Sequence, residues 1–306
     1  MTTLHLLASY ARTPWAMEPG ALATYAAILA RAYAPKLGVR AGGLDEDDHG
    51  APLKGEPKAA RGPAKAGNGS IALIRVFGAI VQRGADLGPC EGGTPCEDIG
   101  AALDAAMADE TVGQVLMQFS TPGGSVFGVD ELATKIRAAR STKPVVGIAD
   151  SMAASAGYYL LSQCSEAYCT PGGQVGSIGV YAAHEFIGKA LDEAGIKIEL
   201  ISAGKYKVEG NPFEPLGDEA RAEMQAMVDR YYAAFVSAVA KGRGVSADKV
   251  RSDFGQGRVL SAQDALAAGM VDGVMPFDAV VRKMAAASRQ REAAKARAAV
   301  AIAGAI

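Results

Sequence analysis

From Ile71 onward, short apolar runs alternate with stretches in which apolar residues recur every three or four positions. Ile71–Phe77, Val115–Phe119, Val145–Ile148 and Ile196–Ile201 have the length and composition of buried strands. Asp130–Arg140, Ser155–Gln163, Glu185–Ala194 and Asp218–Lys241 carry the helical period and are predicted helices. Ser261–Gly273 reads as a capped helix, a glycine stop and a last short strand. Strands alternating with helices predict an α/β domain of βαβ crossovers.

The pattern divides the chain. Residues 1–40 are expected to form a helical arm, because Pro19–Tyr33 places apolar residues at helical spacing. Residues 41–69 are rich in Gly, Pro, Ala and charge and read as a flexible linker. Its acidic cluster Asp45–Asp48 lacks the spacing of a calcium loop, and the adjacent His49 is read as an exposed bystander. Residues 70–276 hold the α/β pattern. Residues 277–306 read as an Ala-rich basic tail, solvated or partly frayed, with Arg282, Lys283, Arg289, Arg291, Lys295 and Arg297 outnumbering Asp278 and Glu292.

Composition narrows the class. With 306 residues, 49% apolar and a formal net charge of −2, the chain is long enough for one large core and has no global basic field for nucleic acid. No run of 18 or more apolar residues exists, and Met1–Gly20 lacks a basic leader followed by an apolar core. A cytoplasmic protein without membrane contact is therefore expected. Cys90 and Cys96, like Cys164 and Cys169, are not spaced as Cys-x-x-Cys and have no histidine close by, so neither a metal nor a cofactor is expected.

Three segments carry candidate chemistry. Ser151-Met-Ala-Ala-Ser155-Ala-Gly-Tyr-Tyr159 is a small-residue turn entering an apolar helix, with a hydroxyl at the turn. Ala203-Gly-Lys-Tyr-Lys207 places a lysine in a glycine-containing loop after a predicted strand. Ser120-Thr-Pro-Gly-Gly124 closes a strand with two glycines that let backbone approach a substrate. Nucleophile, base and oxyanion donors are the parts of an acyl-transfer site. Ser155 is the candidate nucleophile and Lys207 the candidate base. The amides of Gly124 and Ala156 are the candidate oxyanion donors. Taken alone, Ser155 also reads as a helix N-cap. A lysine serves as base only when dehydrated; moving its pKa from ~10.4 to ~7 takes roughly 4 to 5 kcal/mol. The small and apolar flanks of Lys207 offer that environment, with Glu209 working against it. Ser125, Val126 and Phe127, just after the glycine turn, are expected to bind an extended peptide by strand addition.

With Val175-Gly-Ser-Ile-Gly-Val180 and Gly204-Lys-Tyr-Lys207 added, the ordered set over residues 70–275 resembles the signal peptide peptidase A family of serine peptidases. Gly176–Leu216 resembles in particular its phage branch, the capsid assembly proteases. That resemblance implies a Clp-protease and crotonase type of fold. It implies a Ser–Lys dyad of Ser155 and Lys207 rather than Lys205, with Ser177 as a supporting residue that orients the lysine. It also implies scaffold or capsid proteins as substrates and partners, self-association into a homo-oligomer, and action in the host cytoplasm or the assembling procapsid. Other classes use parts of the same pattern: a peptidase degrading signal peptides, a crotonase-like acyl-CoA enzyme, and a catalytically silent capsid component. His184 is the alternative base of a Clp-like arrangement, but it lies beyond the expected strand end and reads as a surface or helix-start histidine.

Overall fold

The computed structural model describes residues 15–17, 70–86 and 92–303. In chain order, β1 (Trp15–Met17), β2 (Ser70–Phe77), β3 (Ala79–Val81) and β4 (Gly93–Pro95) precede helix α1 (Cys96–Ala108). β5 (Val112–Thr121), β6 (Gly123–Ser125) and α2 (Val129–Ala139) come next. β7 (Val145–Ala154) runs almost directly into α3 (Ala156–Leu161), and then come β8 (Glu166–Cys169), β9 (Gln174–Gly176) and α4 (Gly188–Glu193). α5 (Asp218–Arg243), α6 (Ala247–Asp253), β10 (Val259–Ser261), α7 (Ala262–Ala268), β11 (Gly273–Val274) and α8 (Phe277–Ala303) complete the described chain.

The main sheet has the order β10-β9-β7-β5-β2, with β8 alongside β7 and β11 alongside β8. β2, β5, β7, β8 and β9 run parallel, and β10 is antiparallel to β9. Such strands are covered on both faces, so β5 and β7 read as nearly continuous apolar runs rather than as alternation. A smaller sheet, β1-β6-β3-β4, sits beside it. The α/β class expected from the alternation is the observed one.

Two cores fill the space between layers. On one face Val115, Met117 and Phe119 of β5 pack with Ile99 and Leu103 of α1, Leu132 and Ile136 of α2, Tyr158 of α3 and Phe235 of α5. On the other, Leu116, Val146, Ile148 and Tyr168 pack with Val280 and Met284 of α8. Full burial of an apolar side chain of this size contributes about 1.5–3 kcal/mol. The residues after Pro276, read from the sequence as a tail, thus begin with two turns that cover the sheet. Gln114 fastens them, donating from Nε2 to the Met284 carbonyl at 2.8 Å and to Ser288 Oγ at 2.7 Å.

Helix ends obey local chemistry. The Ser261 Oγ accepts from the Asp264 amide at 3.3 Å to cap α7, and Gly269 at φ 83° ends it. The Arg140 guanidinium donates to the carbonyls of Gln163, Cys164 and Gly242 at 3.1, 3.0 and 3.2 Å, tying the ends of α3 and α5 together.

One predicted strand differs from the structure. Ile196–Ile201 is not a strand: it has no paired neighbour among the described residues, and its side chains are exposed, Ile201 at 93%. A strand is defined by its partner, and the described residues provide none here. Within the expected helical arm, Trp15–Met17 is strand β1; Pro19–Tyr33, the linker, His5, His49 and Cys90 lie outside the described residues.

Candidate active site

The register of β7 against β5 skips. Phe119 pairs with Ala149, but Ser120 pairs with Met152, so Asp150 and Ser151 bulge out. The bulge is braced: Gln118 Nε2 donates to Asp150 Oδ2 at 2.6 Å, and the Ser120 and Ser151 hydroxyls lie 3.0 Å apart. Ser151 takes φ 90° there. A bulge bends its strand and re-aims the residues beyond it. Here the continuation, Met152–Ala154, leaves the register of β8 and pairs with β9.

Ser155 stands at the end of that redirected strand. Its amide donates to the Gly176 carbonyl at 2.7 Å, and α3 starts at the next residue. Its backbone sits at φ 53° and ψ −117°, a region in which a side chain costs about 1–3 kcal/mol. Its side chain makes no capping hydrogen bond to α3, which removes the N-cap reading. The Oγ is buried and has no hydrogen-bond partner among the described residues. A sharp strand-to-helix turn holding an unsatisfied hydroxyl is the arrangement that presents a nucleophile. Ala156 is fully buried behind it, with its amide among the first-turn groups that a helix leaves unpaired.

The glycine turn lies against this helix start. Thr121, paired with Ala153 of β7, donates from Oγ1 to the Gly78 carbonyl at 2.6 Å and accepts from the Gly123 amide at 3.1 Å. A Cβ on Gly157 of α3 would sit 2.5 Å from Thr121 Cγ2, so helix and turn touch. Gly124 has still less room: a Cβ there would stand 1.8 Å from the Ile80 carbonyl oxygen. Glycine is what permits β6 to approach β3 so closely. Ser125 is buried, and its Oγ accepts from the Phe127 amide at 3.2 Å. Phe127 is partly exposed and meets Tyr231 of α5 edge-on, with centroids 6.2 Å apart. Val126, Phe127, Tyr159, Val180, Tyr231 and Phe235 form half the lining of a cavity of about 270 Å³ beside the turn, which Asp130 and Glu131 also line. Neither this cavity nor the bulge was anticipated; Tyr231 and Val180 come from distant segments, and no spacing in the sequence joins them.

Ser177 comes directly after β9. It is buried at φ 54°, with its amide donating to the Arg258 carbonyl at 2.8 Å. Ser155, Ala156, Ser177, Gly124 and Ser125 are thus gathered at one end of the parallel strands. Lys207 is not gathered with them. It is exposed in the loop after the unpaired 196–201 segment, and the structure gives it no contact with Ser155. The dehydrating surroundings expected from its flanks are not formed among the described residues, where 201–207 are all exposed. Lys205 is engaged elsewhere, donating to the Tyr206 hydroxyl at 2.7 Å and to Glu219 at 3.1 Å, bonds that raise its pKa above the ordinary value. His184 contacts the Asn211 carbonyl through Nε2 at 3.0 Å, within its own loop system. Burial pushes the thiols of Cys96 and Cys164 up to about 12 and that of Cys169 to about 11, so these are inert core residues. Among the described residues no group of three or more His, Cys, Asp or Glu is placed to hold a metal, and no helix is long and apolar enough to cross a membrane.

Residues 137–291, which hold Ser155, Ser177 and Lys207, match Peptidase family S49. The chain belongs to that family. The capsid assembly protease C of Escherichia phage lambda is 37% identical over 202 residues, 66% of this chain and 46% of that protein. The head-tail preconnector protein GP5 of Enterobacteria phage P21 is 36% identical over 217 residues, 71% of this chain and 43% of that one. This S49 chain therefore spans less than half the length of either phage relative. A ClpP1 mutant of Listeria monocytogenes superposes with a TM-score of 0.41 at 15% identity, over 67% of this chain and 92% of that one. The α/β assignment rests on the strand pairing and not on that likeness. The family read from the motifs is borne out.

Proposed function

We propose that the chain is a serine endopeptidase with a Ser155–Lys207 dyad that processes capsid or scaffold proteins during phage head assembly. The observation that carries the reading is Ser155 itself: a buried hydroxyl without a partner among the described residues, on a strained turn beside a glycine-lined strand. In this mechanism Ser155 Oγ attacks a peptide carbonyl carbon as neutral Lys207 accepts its proton. The amides of Gly124 and Ala156 receive the carbonyl oxygen as it becomes an oxyanion. The C–N bond then breaks, Lys207 returns the proton to the departing amine, and an acyl-enzyme remains on Ser155. Water activated by Lys207 hydrolyses the ester and restores both residues. Ser177 orients the lysine.

Substrate lies extended along Gly123–Ser125, with one apolar side chain in the cavity beside Val126 and Phe127. The exposed loop of Lys207 supports an assembled active form. Phe186, Ile196, Ile198, Leu200 and Ile201 are exposed just before it. A second copy of the chain covering this segment would also bury Lys207. The two phage relatives support a setting in host cytoplasm or procapsid.

The test is co-expression with scaffold and capsid proteins from the same genome. Cleavage of either that Ser155→Ala abolishes supports the reading. Intact capsid proteins with degraded signal-peptide remnants move the chain to the signal-peptide branch, and turnover of an acyl-CoA without Ser155 labelling by a fluorophosphonate removes the peptidase reading.

A further inference from the structure

β6 has two edges. One is taken by β3, parallel, with Ile80 opposite Gly124. The other is taken by β1 from the beginning of the chain, antiparallel, in the register Trp15↔Ser125, Ala16↔Gly124 and Met17↔Gly123. No other edge of Gly123–Ser125 is left for an incoming peptide to pair with. A substrate adding to this strand needs an extended backbone laid along it, and Trp15–Met17 already supplies one.

The sequence limits this pairing to a short stretch. Pro14 immediately precedes it and Pro19 stands two residues after its end, and a proline has no amide to give to a ladder. Three residues of backbone pairing make a weak contact by themselves. It persists because the ligand is part of the same chain and need not diffuse in. Backbone recognition also asks little of the side chains, so a substrate can replace it.

We infer that residues 15–17 are an internal occupant of the peptide-binding edge, displaced when an extended substrate binds. The inference rests on the reading of β6 as the substrate strand. Its consequence is quantitative: the apparent affinity for substrate is lowered by the fraction of molecules in which the edge is free. If the edge is free in about one molecule in ten, releasing the arm raises the affinity about tenfold.

Trp15 is the single tryptophan of the chain, so its emission reports on the arm alone. The experiment uses the full-length Ser155→Ala chain and a tryptophan-free peptide that the full-length active chain has been found to cleave. Binding is tracked by anisotropy of a labelled form of that peptide, and Trp15 emission by titration with the unlabelled form. The expected result is a Trp15 change over the same concentration range as binding. Adding Ala16→Pro, or Met17→Pro as a second variant, then tightens binding about five- to tenfold and removes the Trp15 response. Binding with no Trp15 change, or with equal affinity in the proline variants, overturns the internal occupant and leaves β6 as the substrate edge. If Ser125→Pro binds as tightly as Ser125, the substrate-edge reading itself fails and takes this inference with it.

Discussion

Ser155 and Ser177 end neighbouring parallel strands, joined through the 2.7 Å bond from the Ser155 amide to the Gly176 carbonyl, and both are buried at nearly the same left-handed φ, 53° and 54°. Two such residues side by side are costly. They persist where the surrounding structure over-determines the backbone, and such places are commonly sites of chemistry. The strand bulge, the close approach of α3 to Thr121 and the Arg258 carbonyl supply that constraint here.

A stability measurement separates function from structure at Ser155. Because its hydroxyl has no partner among the described residues, Ser155→Ala is expected to leave stability unchanged or raise it by up to about 1 kcal/mol, while abolishing cleavage and fluorophosphonate labelling. Ser155→Gly relieves the backbone strain and should add roughly another 1 kcal/mol. Urea denaturation of the three chains checks the order. A loss of more than about 1 kcal/mol in Ser155→Ala would mean that the hydroxyl is bonded and the turn is not as described.

The two lysines of the 203–207 loop are expected to behave differently. Lys205 is held as an ammonium by Tyr206 and Glu219, and Lys205→Ala should change kcat by less than about threefold. Lys207→Ala removes the proposed base and should lower kcat by about 10²–10⁴-fold without loss of fold. Retention of cleavage by His184→Ala belongs to the same series, since that ring is bonded to the Asn211 carbonyl. Normal turnover by Lys207→Ala would remove the dyad.

What could be read in advance depended on whether the signal was local. β5 and β7 were legible because strands buried on both faces are apolar over most of their length, β2 because its buried positions alternate with more exposed ones, and α7 because Ser261 and Gly269 mark its ends. Ser155 was legible as a hydroxyl at a strand-to-helix turn. The bulge at Asp150–Ser151 was not, because register is a property of two strands. Ile196–Ile201 looked like a strand from its composition, yet composition does not supply a neighbour. In α8 the signal was present: Phe277, Val280, Val281 and Met284 form a helical stripe, outweighed by the alanines and basic residues around it.

Gly124 offers a steric prediction. An added Cβ would stand 1.8 Å from the Ile80 carbonyl oxygen and 2.6 Å from the Ile80 amide nitrogen, both backbone atoms that cannot rotate away. Gly124→Ala should therefore cost roughly 2–3 kcal/mol and lose cleavage through displacement of β6. Gly172→Ala, where a Cβ meets nothing within 4 Å, is the control expected to match the parent chain. Thermal melts with matched peptidase assays decide it. A fully active and stable Gly124→Ala chain would contradict the β3–β6 approach.

The last prediction concerns acid. Asp272 accepts from Arg243 Nη2 at 2.7 Å and Nη1 at 3.0 Å, and from the Ala167 amide at 2.7 Å, so it joins α5 to β8. Burial alone would raise its pKa, but the Arg243 hydrogen bonds and the Ala167 amide outweigh that and hold the carboxyl below the ordinary carboxylate range. Glu166 is held down in the same way, with the hydrogen bonds from Lys283 and Tyr168 outweighing its burial. A carboxylate with a lowered pKa in the folded state contributes stability above the unfolded value of about 3.9, and loses it as pH falls through the folded value. Asp272 is partly exposed, at 39%, while Arg243 is buried, at 9%, so solvent screens part of the pair. Asp272→Asn is therefore expected to cost roughly 2 kcal/mol at pH 7, less than a fully buried pair would. Below about pH 4 the parent chain begins to lose the same charge, and the difference between the two chains should shrink. Urea denaturation at pH 7 and again near pH 3 measures it. A difference that stays constant across that range would show that Asp272 acts through shape and neutral hydrogen bonds and not through its charge.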